Sequence, residues 1–406
     1  RMGDHDARIA IPYSKGDKIS IGEAWIEDMK GNVVRKLKKG EIDDRSYISY
    51  ISLYEDDFIK SFELKHNTYP YRILYSYKIT YPRFLSIINL NYKNSKSYIN
   101  EGIIVVETPF DRQIKYKQEN VNEPVIETLE KSIRYTWKYD YSPTKSAEKN
   151  TSPNTYKAPA IHVVSLNFKF GIEGSFDSWQ TFGNWIFRLN KGRDVLPEPE
   201  KQRINLMIAG VTDNRKKAEI LYRYLQDYTR YINVSINLGG LQTYPASYVC
   251  TNKYGDCKAL TNYMQSMLKY IGINSYYTLI YSSDRVTDID PNFPANLFNH
   301  IILTIPFEKD TVFLECTSKN TPFGYTGTST QGRKALAIDE NSSFLITTPS
   351  LTLKDVLCTR KFEVDLTISE VKLTTVERGE RYETSTFLTS DINSNIVNKY
   401  IRNNIP

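Results

Sequence analysis

The stretch "YGDCKALTNYMQSMLKYIGI" (residues 254–273) sets a cysteine directly after Gly-Asp and directly before a run with helical period. Leu260, Met264, Met267, Leu268 and Ile271 recur on one side, and Gly272 is a natural stop, so the spacing predicts a helix starting near Asp256. Cys257 then falls in the first turn. There the unpaired backbone N–H groups and the positive end of the helix dipole favour a thiolate, and Lys253 and Lys258 are placed to add to that field. A nucleophilic thiol still needs a base, and the base an orienting group.

The strand-like runs "NHIILTI" (299–305) and "DTVFLEC" (310–316) follow downstream, joined by the turn candidate "PFEKD". Pairing Ile305 with Asp310 would set His300 directly opposite Glu315 on one face of a sheet, whereas a slip of one residue would put them on opposite faces. Taken singly, Cys257 reads as a small buried hydrophobe, His300 as a hydrogen-bonded strand residue and Glu315 as an exposed carboxylate. Together they form a Cys-His-acid triad with a definite geometry.

The chain that carries this constellation has 406 residues, long enough for two or three domains. It is 40% hydrophobic and 25% charged, with no apolar stretch near the ~20 residues of a membrane span. The net charge of +6 is scattered rather than gathered in a stripe, which argues against a nucleic-acid partner. The 31 tyrosines sit mostly in alternating runs and read as sheet surface. Cysteines 250, 257, 316 and 358 form no CxxC pair, so neither a disulfide scaffold nor a structural zinc site is expected, and Cys250, Cys316 and Cys358 read as structural.

Residues 1–165 alternate as an antiparallel β domain. "YRILYSYKIT" (71–80) sets Tyr71, Ile73, Tyr75, Tyr77 and Ile79 on one face, and the polar stretch "SPTKSAEKNTSPNTYKAPA" (142–160) closes the block as a long loop. Residues 166–340 then change period. "SFDSWQTFGNWIFRL" (175–189) predicts a helix capped by Ser175 or Asp177, "LPEPE" (196–200) a link, and "DNRKKAEILYRYLQDYTRYI" (213–232) a second helix. Residues 341–406 alternate again in "KFEVDLTI" and "VKLTTVERGERYET" and suggest a small C-terminal β module. The fold class is α+β and multidomain. His162 reads as a packed strand residue. "SAEK" (146–149) fits SxxK but lacks companion motifs, and HExxH, GxGxxG and phosphate-loop patterns are absent.

The motifs "SWQTFGNW", "RYINVSINLGGLQTYPAS", "KYGDCKAL", "GINSYYTLI", "FNHIILTIP" and "FLECTSKNTPFGY" resemble the transglutaminase-like superfamily of cysteine enzymes. The resemblance is strongest to bacterial cell-envelope chains that join an N-terminal β-rich domain of unknown function to such a core. It implies a papain/transglutaminase-like α+β core in which Cys257 is the nucleophile, His300 its base and Glu315, in place of the more usual Asp, the orienting acid. Gln242 becomes the oxyanion candidate beside the Cys257 N–H. The implied reaction is hydrolysis of a peptide or other amide through a thioester, in preference to cross-linking, with no cofactor or metal. The implied partners are a peptide, protein or amide-containing substrate and an envelope polysaccharide or protein. The implied location is periplasmic, cell-envelope or secreted, any leader lying outside a chain that begins at Arg1. The rival reading is a non-catalytic binding or scaffolding protein that retains the fold.

Overall fold

A computed structural model describes residues 7–47, 52–92, 97–143, 158–235, 240–284, 289–368 and 370–386. The architecture is α+β and multidomain. Most of the 142–160 stretch and all of "SAEK" lie outside the described residues.

The N-terminal block is antiparallel β except for Ser52–Glu55, which pairs in parallel with Asn233–Ser235, and it has two cores. In the first, the strands Arg8–Ser14, Asp57–Glu63 and Asp43–Ser46 form one sheet in that order, and Val33–Lys36, Lys18–Asp28 and Tyr71–Thr80 form another. Ile9, Ile11, Ala24, Ile26, Phe62 and Leu64 fill the space between them. The second core gathers Val106, Trp137, Ile161 and Val163 from two further three-stranded sheets, one of which includes Ala160–Ser165. His162 lies within that strand, cross-strand from Lys117 and Asn89.

The central region is built on a five-stranded antiparallel sheet in the order Thr311–Leu314, His300–Pro306, Tyr276–Ile280, Lys334–Ile338, Phe344–Thr347. The last of these strands lies beyond residue 340 in sequence, yet it completes this sheet. Helix α1 (Trp179–Asn190) and helix α5 (Cys257–Tyr270) cover one face, with α2 (Glu198–Met207), α3 (Asn214–Tyr228) and α4 (Ala246–Asn252) packed outside. Helix α5 places Leu260, Met264, Met267 and Leu268 against Leu303, Ile305, Val312 and Leu314 of the sheet. This is the stripe that its period requires. Helix α1 places Phe182, Trp185 and Ile186 against Tyr277, Leu279, Leu336 and Ile338. Ile280, Ile302, Phe313 and Ala335 make the smaller core on the opposite face.

Three local expectations are corrected. Helix α1 is capped by Ser178, whose hydroxyl accepts from the Thr181 N–H at 3.1 Å, and not by Ser175 or Asp177. "LPEPE" is no link. It opens α2, because Pro199 sits within the first turn, where its missing N–H costs no helical bond. "GERYET" leaves the alternating pattern and forms the short helix α6 (Glu380–Ser385) after the hairpin Leu357–Asp365 and Glu370–Arg378.

Candidate active site

Helix α5 starts at Cys257, as its spacing indicated. Asp256 is the N-cap, its carboxylate accepting from the Ala259 N–H at 2.9 Å. Only a glycine fits at position 255, because a Cβ there would stand 2.8 Å from that of Ala259. The chain just before the cysteine is pinned by a parallel bridge from Arg230–Tyr231 to Tyr254–Gly255, continued by the Ile232 N–H donating to the Gly255 carbonyl at 2.9 Å. The two lysines do not act as expected. The Lys258 ammonium is buried 2.6 Å from the Asp256 carboxylate, which offsets its charge, and Lys253 caps α4 with its ammonium 5.1 Å above the Tyr228 ring.

His300 begins the strand His300–Pro306, which packs against α5, and the Cys257 thiol is among the groups that act on its ring. Its Nε2 is 2.7 Å from Glu315 Oε2, both side chains being largely buried at 17% and 18% exposure. The register differs from the expected one. Pro306 pairs with Thr311 and Leu303 with Leu314, so the hairpin is displaced by two residues and Glu315, which follows the last paired residue, is not the direct partner of His300. Both residues stand at the same end of the strand pair, where the chain leaves the ladder after Leu314. The Glu315 side chain reaches His300 from beyond the ladder.

The remaining carboxylate oxygen of Glu315 accepts from both the N–H and the hydroxyl of Thr317. The loop behind it is held by Tyr222, whose hydroxyl donates to the carbonyls of Glu315 (2.8 Å) and Thr321 (3.1 Å), and by Gln226, which donates to those of Ser318 and Thr321. Neither Thr317 nor Tyr222 was singled out from the sequence. Thr317, two residues beyond the acid, fits a side chain that closes a local turn on a carboxylate.

Burial opposes a charge on His300, but the Glu315 carboxylate and the Cys257 thiol outweigh it and push the imidazole up to about 10. Burial likewise opposes the Glu315 carboxylate, and the His300 ring and Thr317 overcome it to hold the acid below its ordinary range. The pair is therefore imidazolium and carboxylate at neutral pH, with the second ring nitrogen left for the thiol. Burial pushes Cys250 up to about 11, with the Glu200 carboxylate adding to it, and burial drives Cys316 higher still, while Cys358 is exposed on the C-terminal hairpin.

Gln242 lies on the segment that docks against the end of α1. Its amide donates to the Leu189 carbonyl at 2.6 Å, and the Thr243 N–H donates to the Asn190 side chain. One of its amide hydrogens is therefore committed. Among the described residues no group of three or more His, Cys, Asp or Glu side chains is placed to hold a metal ion, and no helix is long and apolar enough to cross a membrane.

Residues 3–145 match the family model DUF3857, a domain of unknown function for which a structure has been solved. No curated protein matches the chain. Among solved structures, that of "a putative protease" from Parabacteroides distasonis ATCC 8503 superimposes with a TM-score of 0.64 at 14% identity, covering 86% of this chain and 66% of that one. A second, of "a putative cysteine protease" from Cytophaga hutchinsonii, aligns at 10% identity over 72% of this chain and 83% of its own, with a TM-score of 0.27. The chain thus shares the fold of the Parabacteroides protein over most of its own length and spans 66% of that protein's.

Proposed function

We propose that the chain is a cysteine hydrolase with a transglutaminase-like core that cleaves a peptide or other amide through a thioester on Cys257. The observation that carries this reading is the 2.7 Å contact between His300 and a Glu315 carboxylate whose other oxygen is already occupied, beside a cysteine at a helix start. The Parabacteroides structure, described as that of "a putative protease", is in keeping with it.

In the proposed reaction the Cys257 thiolate attacks the amide carbonyl carbon, and the C=O electron pair moves to oxygen. The Cys257 backbone N–H, free in the first turn, and the uncommitted Gln242 amide hydrogen are the candidate donors to that oxyanion. The His300 imidazolium gives its proton to the departing nitrogen as the C–N bond breaks, leaving a thioester and a free amine. His300, now neutral, takes a proton from water, whose oxygen attacks the thioester. The C–S bond breaks, releasing the acid and restoring the thiolate–imidazolium pair. Glu315 keeps the ring in one tautomer and orientation throughout.

Incubation with a mixed peptide library, acid quenching and mass mapping test this. An acyl adduct on the Cys257 peptide, absent in Cys257→Ala, is the expected result. Turnover retained by Cys257→Ala would refute it, and the absence of both adduct and turnover would favour the non-catalytic binding reading.

A further inference from the structure

The first N-terminal core is open on one side. Arg8–Ser14 and Tyr71–Thr80 are each the terminal strand of their three-stranded sheets among the described residues, and they flank a groove of about 680 Å³. Five consecutive residues of the first strand, from Arg8 to Pro12, line it. Side chains of a strand point alternately to its two faces, so an unbroken run of lining residues means that the strand presents its backbone edge. Pro12 fits this, since proline within sheets is confined to edges and bulges.

The opposite wall carries Tyr71, Ile73, Tyr75 and Tyr77. Cross-strand pairing settles which way they face. Ile73 pairs with the fully buried Ile26 and Tyr75 with the buried Ala24, so this row belongs to the inner face of the sheet. Tyr71 and Ile73 join the core, but Tyr75 and Tyr77 remain 47% and 50% exposed with their rings stacked 6.4 Å apart. Inner-face aromatic rings left half in water mark a layer that lacks a cover.

We propose that this groove binds an extended peptide segment of another chain, which adds as a strand to the open edge of Arg8–Ser14 and lays its side chains over Tyr75 and Tyr77. The hydrogen-bonding pattern selects the ligand class. The backbone edge of Arg8–Ser14 offers alternating N–H and C=O groups, which an extended backbone matches, whereas a polyproline helix or a glycan presents no such ladder. The tyrosine row selects apolar or β-branched side chains at alternate peptide positions. The site is independent of Cys257, and its failure would leave the proposed hydrolase chemistry untouched.

The test uses the full chain, with Cys257→Ala to prevent cleavage. A displayed random decapeptide library is panned against it, and the enriched sequences are remade as labelled synthetic peptides for fluorescence anisotropy. Peptides with alternating β-branched residues are expected, losing at least tenfold in affinity on alternate N-methylation and on the Tyr75→Ser/Tyr77→Ser double substitution. Bound peptide should slow hydrogen exchange at residues 8–14 and 71–80, which loss of fold in the variant could not mimic. The proposal is overturned if no peptide is enriched over the double variant, if proline-rich peptides are selected, or if N-methylation leaves affinity unchanged. It is equally overturned if soluble oligosaccharides bind the groove in place of peptides, or if the groove is closed by a second copy of the chain in sedimentation.

Discussion

Replacing Glu315 by Gln keeps the shape of the side chain and removes its charge, which isolates what the carboxylate does for His300. In the wild type the imidazole is carried from 6.5 to about 10 against the pull of burial. At about 1.4 kcal/mol per pKa unit this corresponds to ~5 kcal/mol of preference for the charged ring. That figure is net of burial, which opposes the charged ring, and is shared with the Cys257 thiol, so the carboxylate contributes on the order of a few kcal/mol. In Glu315→Gln burial acts with less opposition, and the His300 midpoint should fall by about two units, read from the ring C–H resonances in an NMR titration. Stability should follow. A histidine raised above its unfolded value stabilises fully below pH 6.5 and loses that contribution as pH rises toward 10. The lowered Glu315 acts in the opposite sense, its contribution being present above about pH 4.5 and lost on acidification. Wild type should therefore lose denaturation free energy between pH 7 and 10, where Glu315→Gln loses much less. A midpoint that stays near 10 in the variant, or parallel stability profiles over this range, would refute the reasoning.

Thr317→Val deletes the hydroxyl donor to Glu315 but keeps the backbone N–H, so about 1–1.5 kcal/mol of restraint is lost and amide turnover should fall roughly tenfold, with Thr317→Ser recovering most of it. Gly255→Ala forces a Cβ to within 2.8 Å of Ala259, which should cost about 1–3 kcal/mol in urea denaturation, and the double variant with Ala259→Gly should regain much of this. Trp185→Ala empties a fully buried position between α1 and the central sheet, and a loss of about 3–5 kcal/mol is expected by the same measurement.

Legibility in the sequence follows the strength of the local signal. Helix α5 was readable because its cap, its period and its terminal glycine agree, and Gly272 does take a positive φ of 75°. The His300–Glu315 contact was readable because the hairpin brings both residues to the same end of the strand pair, although not as the direct partners expected. The displacement itself was not, since "PFEKD" contains no glycine or Asn-Gly to dictate the turn, and Phe307–Asp310 closes it through a single backbone bond at 2.8 Å. Helix α2 was hidden because two prolines read as a linker when one of them opens a helix. Lys258 was misread because sequence proximity to Cys257 says nothing of its burial against Asp256. Gln242 shows the same limit, its amide being directed toward Leu189 by the packing of a segment without period.

The most direct measurement of the central claim is the rate at which iodoacetamide modifies each cysteine at pH 6, resolved by peptide mapping, in wild type and in His300→Ala. Cys250 and Cys316 are shielded or held as thiols by burial, so exposed Cys358 is the internal reference. A thiol paired with the His300 imidazolium should react at least tenfold faster than Cys358, and His300→Ala should remove that advantage. Equal rates at Cys257 and Cys358 in the wild type, or an advantage that survives the loss of His300, would contradict the assignment of Cys257 as an activated nucleophile.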